Sequence, residues 1–343
     1  MNSFDAGDII EHRNFRVGLN AAVTLCRACS GGSVLAVLGP TRAGKSVIFR
    51  ELHRTLQCDT AGHRDGEMPV IALTIATSQD GRIAPKHLTL KALKAIEHPT
   101  YRHFGELDEQ DHPLPSRGRD ETSMRIALEA GLDARVVKYT LLDEAHHLTH
   151  TRDARIRATV LESIKCLTAI DRTLVLVGGY ELAYSGLFDS AHFAGRLTCV
   201  ELSPYREVED DMLEWLSILK TLSLSLVVKP ANLLLDHAQS ILAASSGSFG
   251  LARKIVWRAK AICESAGRPI AKGDLIEAFP MRHEHDAIRR DIECGQAALE
   301  RFSSTAIIRS GGPGKPATSS PLLKPFKRKP NRRAILPLEV ADQ

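Results

Sequence analysis

The octapeptide at residues 39–46 constrains this chain more than any other stretch, because it joins an apolar run to an amphipathic helix. The apolar run is Val34–Leu38, and residues 47–52 continue with apolar positions at helical spacing. A buried strand, a glycine-rich turn and a helix N-terminus together form a P-loop, whose N–H groups favour an anion. The sequence therefore predicts that a nucleoside triphosphate binds here, with a nucleotide-free glycine turn as the alternative. The predicted binding residues are Gly39, Pro40, Thr41, Arg42, Ala43, Gly44, Lys45 and Ser46.

Two side chains of the octapeptide and an acidic pair predict how the nucleotide is used. Lys45 is expected to reach the β- and γ-phosphates of ATP, and the Ser46 hydroxyl is expected to help hold Mg²⁺. A second apolar run, residues 136–142, predicts a buried strand that ends in Asp143 and Glu144. An Asp at a strand end can hold Mg²⁺ through water, and the adjacent Glu can polarise the attacking water. The pair therefore predicts hydrolysis, with ATP and Mg²⁺ as cofactors.

Composition excludes some classes of protein. The 343 residues carry a formal net charge of +4 and suit one large or two modest domains. No apolar run reaches transmembrane length, and the N-terminus, with Asp5, Asp8 and Glu11, is unlike a signal peptide. The seven cysteines are scattered, and an odd, unpatterned set indicates reduced thiols. We therefore expect a cytoplasmic protein with no membrane segment.

Two small groups of residues are candidates for a metal site, and the first of them also for a redox site, but neither fits well. Cys26 and Cys29 form a CxxC, and no second CxxC completes a zinc ligand set. One-turn spacing on a helix face is the better interpretation. His146, His147 and His150 follow the acidic pair, but they do not form the HExxH pattern of zinc peptidases.

Patterns along the chain predict an α/β core followed by a helical lid. Between residues 31 and 204, strand-like and helix-like patterns alternate, as a parallel sheet requires. Beyond residue 204, apolar positions recur at helical spacing only. The expected strands are 34–38, 69–75, 136–142, 174–179 and 197–202, and the expected lid helices are 212–222, 233–244, 251–266 and 275–279. The expected divisions are an N-terminal helical segment 1–30, the core 31–204, the lid 205–300 and a Pro-, Lys- and Arg-rich tail 301–343.

The end of the chain differs from the rest in composition. Residues 311–343 hold seven Lys and Arg against two acidic residues, and six of the 16 prolines. Such a segment cannot bury a core alone, so we expect a disordered tail that a partner orders, with a solubilising tail as the alternative. A basic run at 327–333 is followed by an apolar stretch at 334–338, a combination suited to docking in a groove.

Five further cations are candidates for function. Arg196 lies between two expected strands and is a candidate arginine finger for a neighbouring copy, while Arg253 begins a lid helix and is a candidate to reach the γ-phosphate. Ordinary surface arginines are the alternative for both. Lys86, Lys91 and Lys94 form the densest basic cluster of the α/β part. No aromatic residues interleave with them, so we expect contact with DNA phosphates without sequence readout.

These motifs together resemble an AAA+ ATPase over about residues 10–280. The resemblance rests on the P-loop, the acidic pair, the strand end at 177–182, Arg196, and a lid with Gly247 and Arg253. Within that class, the motif at 142–148, the same strand end and a short lid with a basic tail are similar to the TniB/TnsC transposition regulators. This resemblance implies ATP-dependent homo-oligomerisation, as a ring or filament, on double-stranded DNA. The assembly would link a target-selector protein to a transposase.

One departure from the family affects the expected rate of hydrolysis. The family has a polar sensor residue after the strand, where this chain has Gly179, so the sensor is Tyr180, Glu181 or absent. We therefore expect slow, switch-like hydrolysis. The alternatives are an AAA+ helper of another kind, such as a helicase loader or an insertion-sequence ATPase, and a signalling NTPase that binds protein only. Residues 143–146 also spell the motif of one helicase class, but such enzymes need two tandem cores.

Overall fold

The computed structural model describes residues 10–302 with gaps. The chain divides into two units, residues 1–302 and 303–343, and the second lies wholly outside the described residues, as does the predicted tail contact. The residues that are not described are 1–9, 30, 61, 63, 76–84, 104–119, 150–163, 165, 169–170, 190–192, 194, 225, 265–266 and 303–343.

A parallel sheet forms the centre of the described part of the chain. Its strands run in the order β2-β3-β4-β1-β5, and every pairing is parallel. The predicted α/β fold with a parallel sheet is therefore confirmed. The five strands of the described residues are β1 (Val34–Leu38), β2 (Val70–Thr74), β3 (Tyr139–Asp143), β4 (Thr173–Gly178) and β5 (Leu197–Glu201).

The start of β3 differs from the prediction by three residues. The apolar run begins at residue 136, but Val136 has a positive φ of 54° and its N–H bonds to the carbonyl of Asp133 at 3.0 Å. Val137 likewise donates to Leu132 at 3.0 Å. The first residues of the run therefore close the preceding helix, and pairing with β2 begins only at Tyr139.

Helices cover both faces of the sheet, as a parallel sheet requires. Along β1, Leu35 and Val37 pack against α1 and α2, whereas Val34, Ala36 and Leu38 belong to the core on the opposite face, with α3 and α4. This alternation explains why all of β1 is apolar and buried. The helices of this part are α1 (Arg13–Ala28), α2 (Lys45–Asp59), α3 (Pro85–Ala95), α4 (Glu121–Ala134) and α5 (Glu181–Tyr184).

Beyond β5 the described chain is helical, as predicted. A separate core forms there around Trp215, which is fully buried and donates its indole N–H to the carbonyl of Ala238 at 3.1 Å. The expected helix at 233–244 is two short helices that meet at His237. The helices are α6 (Glu209–Ser223), α7 (Leu233–Asp236), α8 (Ala238–Ala244), α9 (Phe249–Glu264), α10 (Lys272–Glu277) and α11 (Arg282–Arg301).

The last helix, α11, is one that the sequence analysis missed. Its buried residues are only Ile292, Gly295 and Ala298, a narrow stripe on a helix that is otherwise charged. Ile292 and Ala298 join the apolar core on the α3 and α4 face of the sheet, not the core around Trp215. The helix therefore returns the chain to the α/β part. Among the described helices, none has the length and apolar run that a membrane span requires.

Candidate nucleotide-binding site

The P-loop adopts a conformation that depends on its second glycine. Gly44 has a φ of +91°, a left-handed value that strains any residue with a Cβ. It is the N-cap of α2, so the helix begins at Lys45 and its first N–H groups point towards the loop. Ala43 N–H bonds back to the Pro40 carbonyl at 3.2 Å. The loop thus combines a tight turn with a helix N-terminus, the arrangement that binds phosphate.

Lys45 points its ammonium group back across the loop. Its Nζ donates to the carbonyl oxygens of Gly39 at 3.0 Å and Pro40 at 2.6 Å. Burial lowers the pKa of Lys45, and the carboxylates of Glu144 and Asp291 act in the opposite direction. The cation is therefore held at the mouth of the loop, where phosphate oxygens would replace the two carbonyls.

Ser46 and Asp143 come together although they are almost 100 positions apart in sequence. Asp143 is the last residue of β3, and the Ser46 hydroxyl forms a side-chain hydrogen bond with its carboxylate. Burial raises the pKa of Asp143, while hydrogen bonds from Glu144 N–H (2.9 Å) and Ser46, and the charge of Lys45, oppose that rise. A hydroxyl and a carboxylate are hard oxygen donors that suit Mg²⁺, so the pair fits the predicted role.

Glu144 combines an unusual backbone conformation with an exposed side chain. Its φ is +54°, and its side chain is 41% exposed. His146 lies on the 3₁₀ turn Ala145–Thr149, with its Nδ1 3.2 Å from Glu144 Oε2. Glu144, His146 and His147 bring potential ligand atoms within 4.8 Å of one another. The third histidine weighed for a metal, His150, lies outside the described residues.

An open cleft of about 960 Å³ joins these groups. It is lined by the P-loop, Glu144 and residues of α9. Of the two candidate sensor residues, Glu181 lines the cleft, whereas Tyr180 is fully buried and donates its hydroxyl to Glu201 Oε1 at 2.6 Å. Only Glu181 of the pair therefore faces the space where a nucleotide would bind.

The N-terminus of α9 closes directly on the P-loop. Gly250 N–H donates to the Arg42 carbonyl at 3.1 Å, and the Ser248 hydroxyl donates to the Thr41 carbonyl at 3.1 Å. A Cβ on Gly250 would lie 2.3 Å from that same Arg42 oxygen, so this close approach requires glycine. Arg253 follows within one turn and lines the cleft, with its guanidinium carbon 5.2 Å from the Trp257 ring centroid. The predicted lid arginine is thus beside the phosphate-binding loop.

Arg196 lies at the other end of the sheet. It is exposed and directly precedes β5, where Leu197 pairs with Val34 at the start of β1. The P-loop follows the end of β1, so the backbone of Arg196 is about 16 Å from it along the strands. The structure therefore does not bring Arg196 to the cleft of its own chain.

The lysines predicted to contact DNA all lie on α3, but they are not equivalent. Lys91 Nζ donates to the carbonyl of Thr74, the last residue of β2, at 2.8 Å. Burial, followed by the charges of Lys91 and Lys94, lowers the pKa of His87, so these three residues form one cluster. Lys86 is exposed and faces a different direction on the helix. His87 is a member that sequence reasoning missed.

A second missed residue is Asp291 of α11, which lines the same cleft as Lys45 and Glu144. Its carboxylate accepts a hydrogen bond from the Tyr184 hydroxyl at 2.9 Å. No local sequence signal identifies it, because its place in the site depends on how α11 packs against the sheet.

The fold and the cleft define a P-loop NTPase. Residues 27–183 match the family model described as an AAA domain. The described core thus has the AAA+ fold.

Solved structures of other proteins resemble this fold. The ORC1 protein of Aeropyrum pernix, solved in complex with DNA, has a TM-score of 0.54 at 15% identity, over 79% of this chain and 65% of that one. The chain thus spans about two thirds of that protein's length. A Walker-type ATPase of Pyrococcus abyssi has a TM-score of 0.49 at 14% identity, over 89% and 77% of the two chains. The Drosophila ORC bound to DNA has a TM-score of 0.48 at 17% identity, over 88% and 65%. No curated protein matches the chain.

Proposed function

We propose that this protein is a Mg²⁺-dependent AAA+ ATPase that binds double-stranded DNA and regulates DNA transposition. The observation that carries the ATPase part is the meeting of Lys45, Ser46, Asp143 and Glu144 at the carboxyl end of the sheet, in a cleft closed on one side by α9. These groups supply a phosphate-binding cation, two metal donors and a base, which are the parts that phosphoryl transfer to water requires.

Each residue has a distinct task in the proposed reaction. The Lys45 ammonium would neutralise phosphate charge, and Ser46 with Asp143 would hold Mg²⁺, which would supply further positive charge to the phosphates. The Glu144 side chain is 41% exposed and orients the attacking water. Arg253 lies on the lid side, where it stabilises charge that develops on the γ-phosphate. Arg196 completes the site of a neighbouring copy, so turnover depends on a homo-oligomer.

The DNA and transposition parts of the proposal rest on sequence motifs, on the fold and on a cluster of basic residues. The motif at 142–148 and the strand end at 177–182 are similar to the transposition regulators, and the fold resembles a protein that was solved with DNA. Lys91 and Lys94 provide positive charge close to the carboxyl end of β2, beside His87. We assign backbone contact with DNA to this face and to Lys86.

The decisive experiment measures ATP turnover with and without double-stranded DNA. We expect DNA to increase turnover, with slow, switch-like hydrolysis in its absence. Activity that DNA leaves unchanged would favour the alternative of a signalling NTPase that binds protein only. Co-precipitation with a transposase or with a replicative helicase then separates a transposition regulator from a helicase loader.

Deletion of residues 311–343 tests the proposed contact with the transposase. The segment combines positive charge with the apolar stretch 334–338, so we expect its loss to abolish transposase recruitment and to spare ATP turnover and DNA-dependent oligomerisation. A matched variant in which only the apolar stretch is replaced by Ser should behave like the deletion. Loss of DNA binding with the transposase contact retained would contradict this assignment.

A further inference from the structure

The helix α11 carries an acidic side chain into the cleft that the proposed reaction does not use. Asp291 is half-buried and lines the cleft together with Lys45, Glu144 and His146. Its carboxylate interacts electrostatically with Lys45 and His146, both at the end of the cleft expected to receive the terminal phosphate. A negative group therefore faces the cation that a γ-phosphate needs.

Contacts on both sides of Asp291 fix its position. Towards the C-terminus, a Cβ on Gly295 would lie 2.1 Å from Tyr180 Cγ, so the helix backbone rests directly on this buried ring. Next to it, Gln296 Nε2 donates to Glu201 Oε1 at 3.4 Å. Towards the N-terminus, Glu284 pairs with Lys254 of α9 at 3.1 Å. Asp291 is thus held in the cleft by the packing of α11 and is not a freely moving surface group.

The acidic groups around Lys45 differ in what they can do for a nucleotide. Asp143 can coordinate Mg²⁺, and Glu144 can accept a proton from the attacking water. Asp291 is paired instead with the neutral hydroxyl of Tyr184, and the charge of Glu181 adds to the burial that raises the pKa of Asp291. A γ-phosphate beside Lys45 brings further negative charge, which Asp291 repels, whereas ADP leaves that space empty.

We propose that Asp291 is a specificity-determining residue of the nucleotide site, which weakens the binding of ATP relative to ADP. This inference rests on the proposed nucleotide-binding function. As a consequence, the packing of α11 that places Asp291 in the cleft disfavours a γ-phosphate beside Lys45. The packing of α11 is therefore linked to whether ATP or ADP is bound.

The test compares the affinities of ATP and ADP, measured by calorimetry with Mg²⁺ on the full chain. Asp291→Asn removes the charge but keeps an oxygen that accepts the Tyr184 hydroxyl, so α11 should remain docked. We expect the variant to bind ATP about tenfold more tightly and to change ADP affinity less than about twofold. The matched control is Glu293→Gln, which removes the same charge from the exposed side of α11 and should change neither affinity.

Each other outcome has a distinct meaning. An unchanged ratio of ATP to ADP affinity in a folded Asp291→Asn variant would overturn the inference. Weaker ATP binding that depends on Mg²⁺ would overturn it too, because the carboxylate would then hold the cation. If the Asn variant does not fold, Asp291→Ser provides the same comparison. A wild-type chain that binds neither nucleotide would overturn the proposed function, and this inference with it.

Discussion

The two ends of the central sheet carry different parts of the predicted machinery. At the carboxyl end, Lys45, Asp143 and Glu144 meet within one chain, and α9 closes over them. At the amino end, Arg196 is exposed and about 16 Å from its own P-loop along the strands. The first set lies together within a monomer, whereas the proposed role of Arg196 requires another copy. The comparison indicates that binding and turnover of ATP can be separated by mutation.

The largest expected effect is that of Lys45→Ala at the carboxyl end. The variant removes the cation that faces the phosphates, so we expect ATP affinity to fall by at least about 100-fold and turnover to vanish. Fluorescent-nucleotide binding measures the affinity, and Lys272→Ala, an exposed lysine of α10, serves as the control. Retained ATP binding would show that the cleft does not hold the triphosphate as proposed.

The Arg196→Ala variant tests the proposed arginine finger at the amino end of the sheet. We expect normal ATP binding with turnover reduced about 1000-fold, the effect of losing an arginine finger. Mixing this variant with Lys45→Ala should restore part of the activity, because each protomer supplies what the other lacks. Arg282→Ala, whose side chain is 96% exposed on α11, is the matched control. Activity that never recovers on mixing would exclude Arg196 as a finger.

Glu144→Gln separates binding from hydrolysis within the carboxyl end. The amide cannot take a proton from water, so we expect turnover to fall about 100-fold while ATP binding is kept. The variant should therefore trap the ATP-bound oligomer on DNA, which sedimentation with labelled DNA detects. Glu277→Gln on α10 is an exposed control. Turnover equal to that of the wild type would remove Glu144 from its proposed role as base.

The smallest expected effect belongs to the α3 lysines beside β2. Replacing Lys86, Lys91 and Lys94 by Ala should weaken DNA binding about tenfold, equally for all sequences. The slope of log binding constant against log salt concentration should also become shallower, by nearly one unit for each phosphate that the variant no longer neutralises. Replacing Lys220, Lys229 and Lys272, three exposed lysines of the helical part, is the matched control. A loss of affinity that depends on DNA sequence would contradict phosphate contact.

The features that could be predicted from sequence are those encoded in contiguous residues. The P-loop lies within eight positions, and the strand before it is an unbroken apolar run because both faces of a parallel sheet are covered. Asp143 and Glu144 follow a second such run. In a parallel sheet the carboxyl ends of strands share one edge, so the meeting of these groups follows from the fold class alone.

The tertiary structure decided the rest, because those features depend on contacts between distant parts of the chain. Val136 and Val137 are apolar enough for a strand, yet hydrogen bonds to α4 keep them out of it. Tyr180 and Glu181 are adjacent in sequence, but only Glu181 lines the cleft. The Tyr180 side chain is buried instead, where it donates a hydrogen bond to Glu201 and packs against Gly295. Asp291 belongs to the site only because a glycine lets α11 rest on that tyrosine ring. A local pattern records which residues are apolar or charged, whereas the partner that each one meets is set by packing.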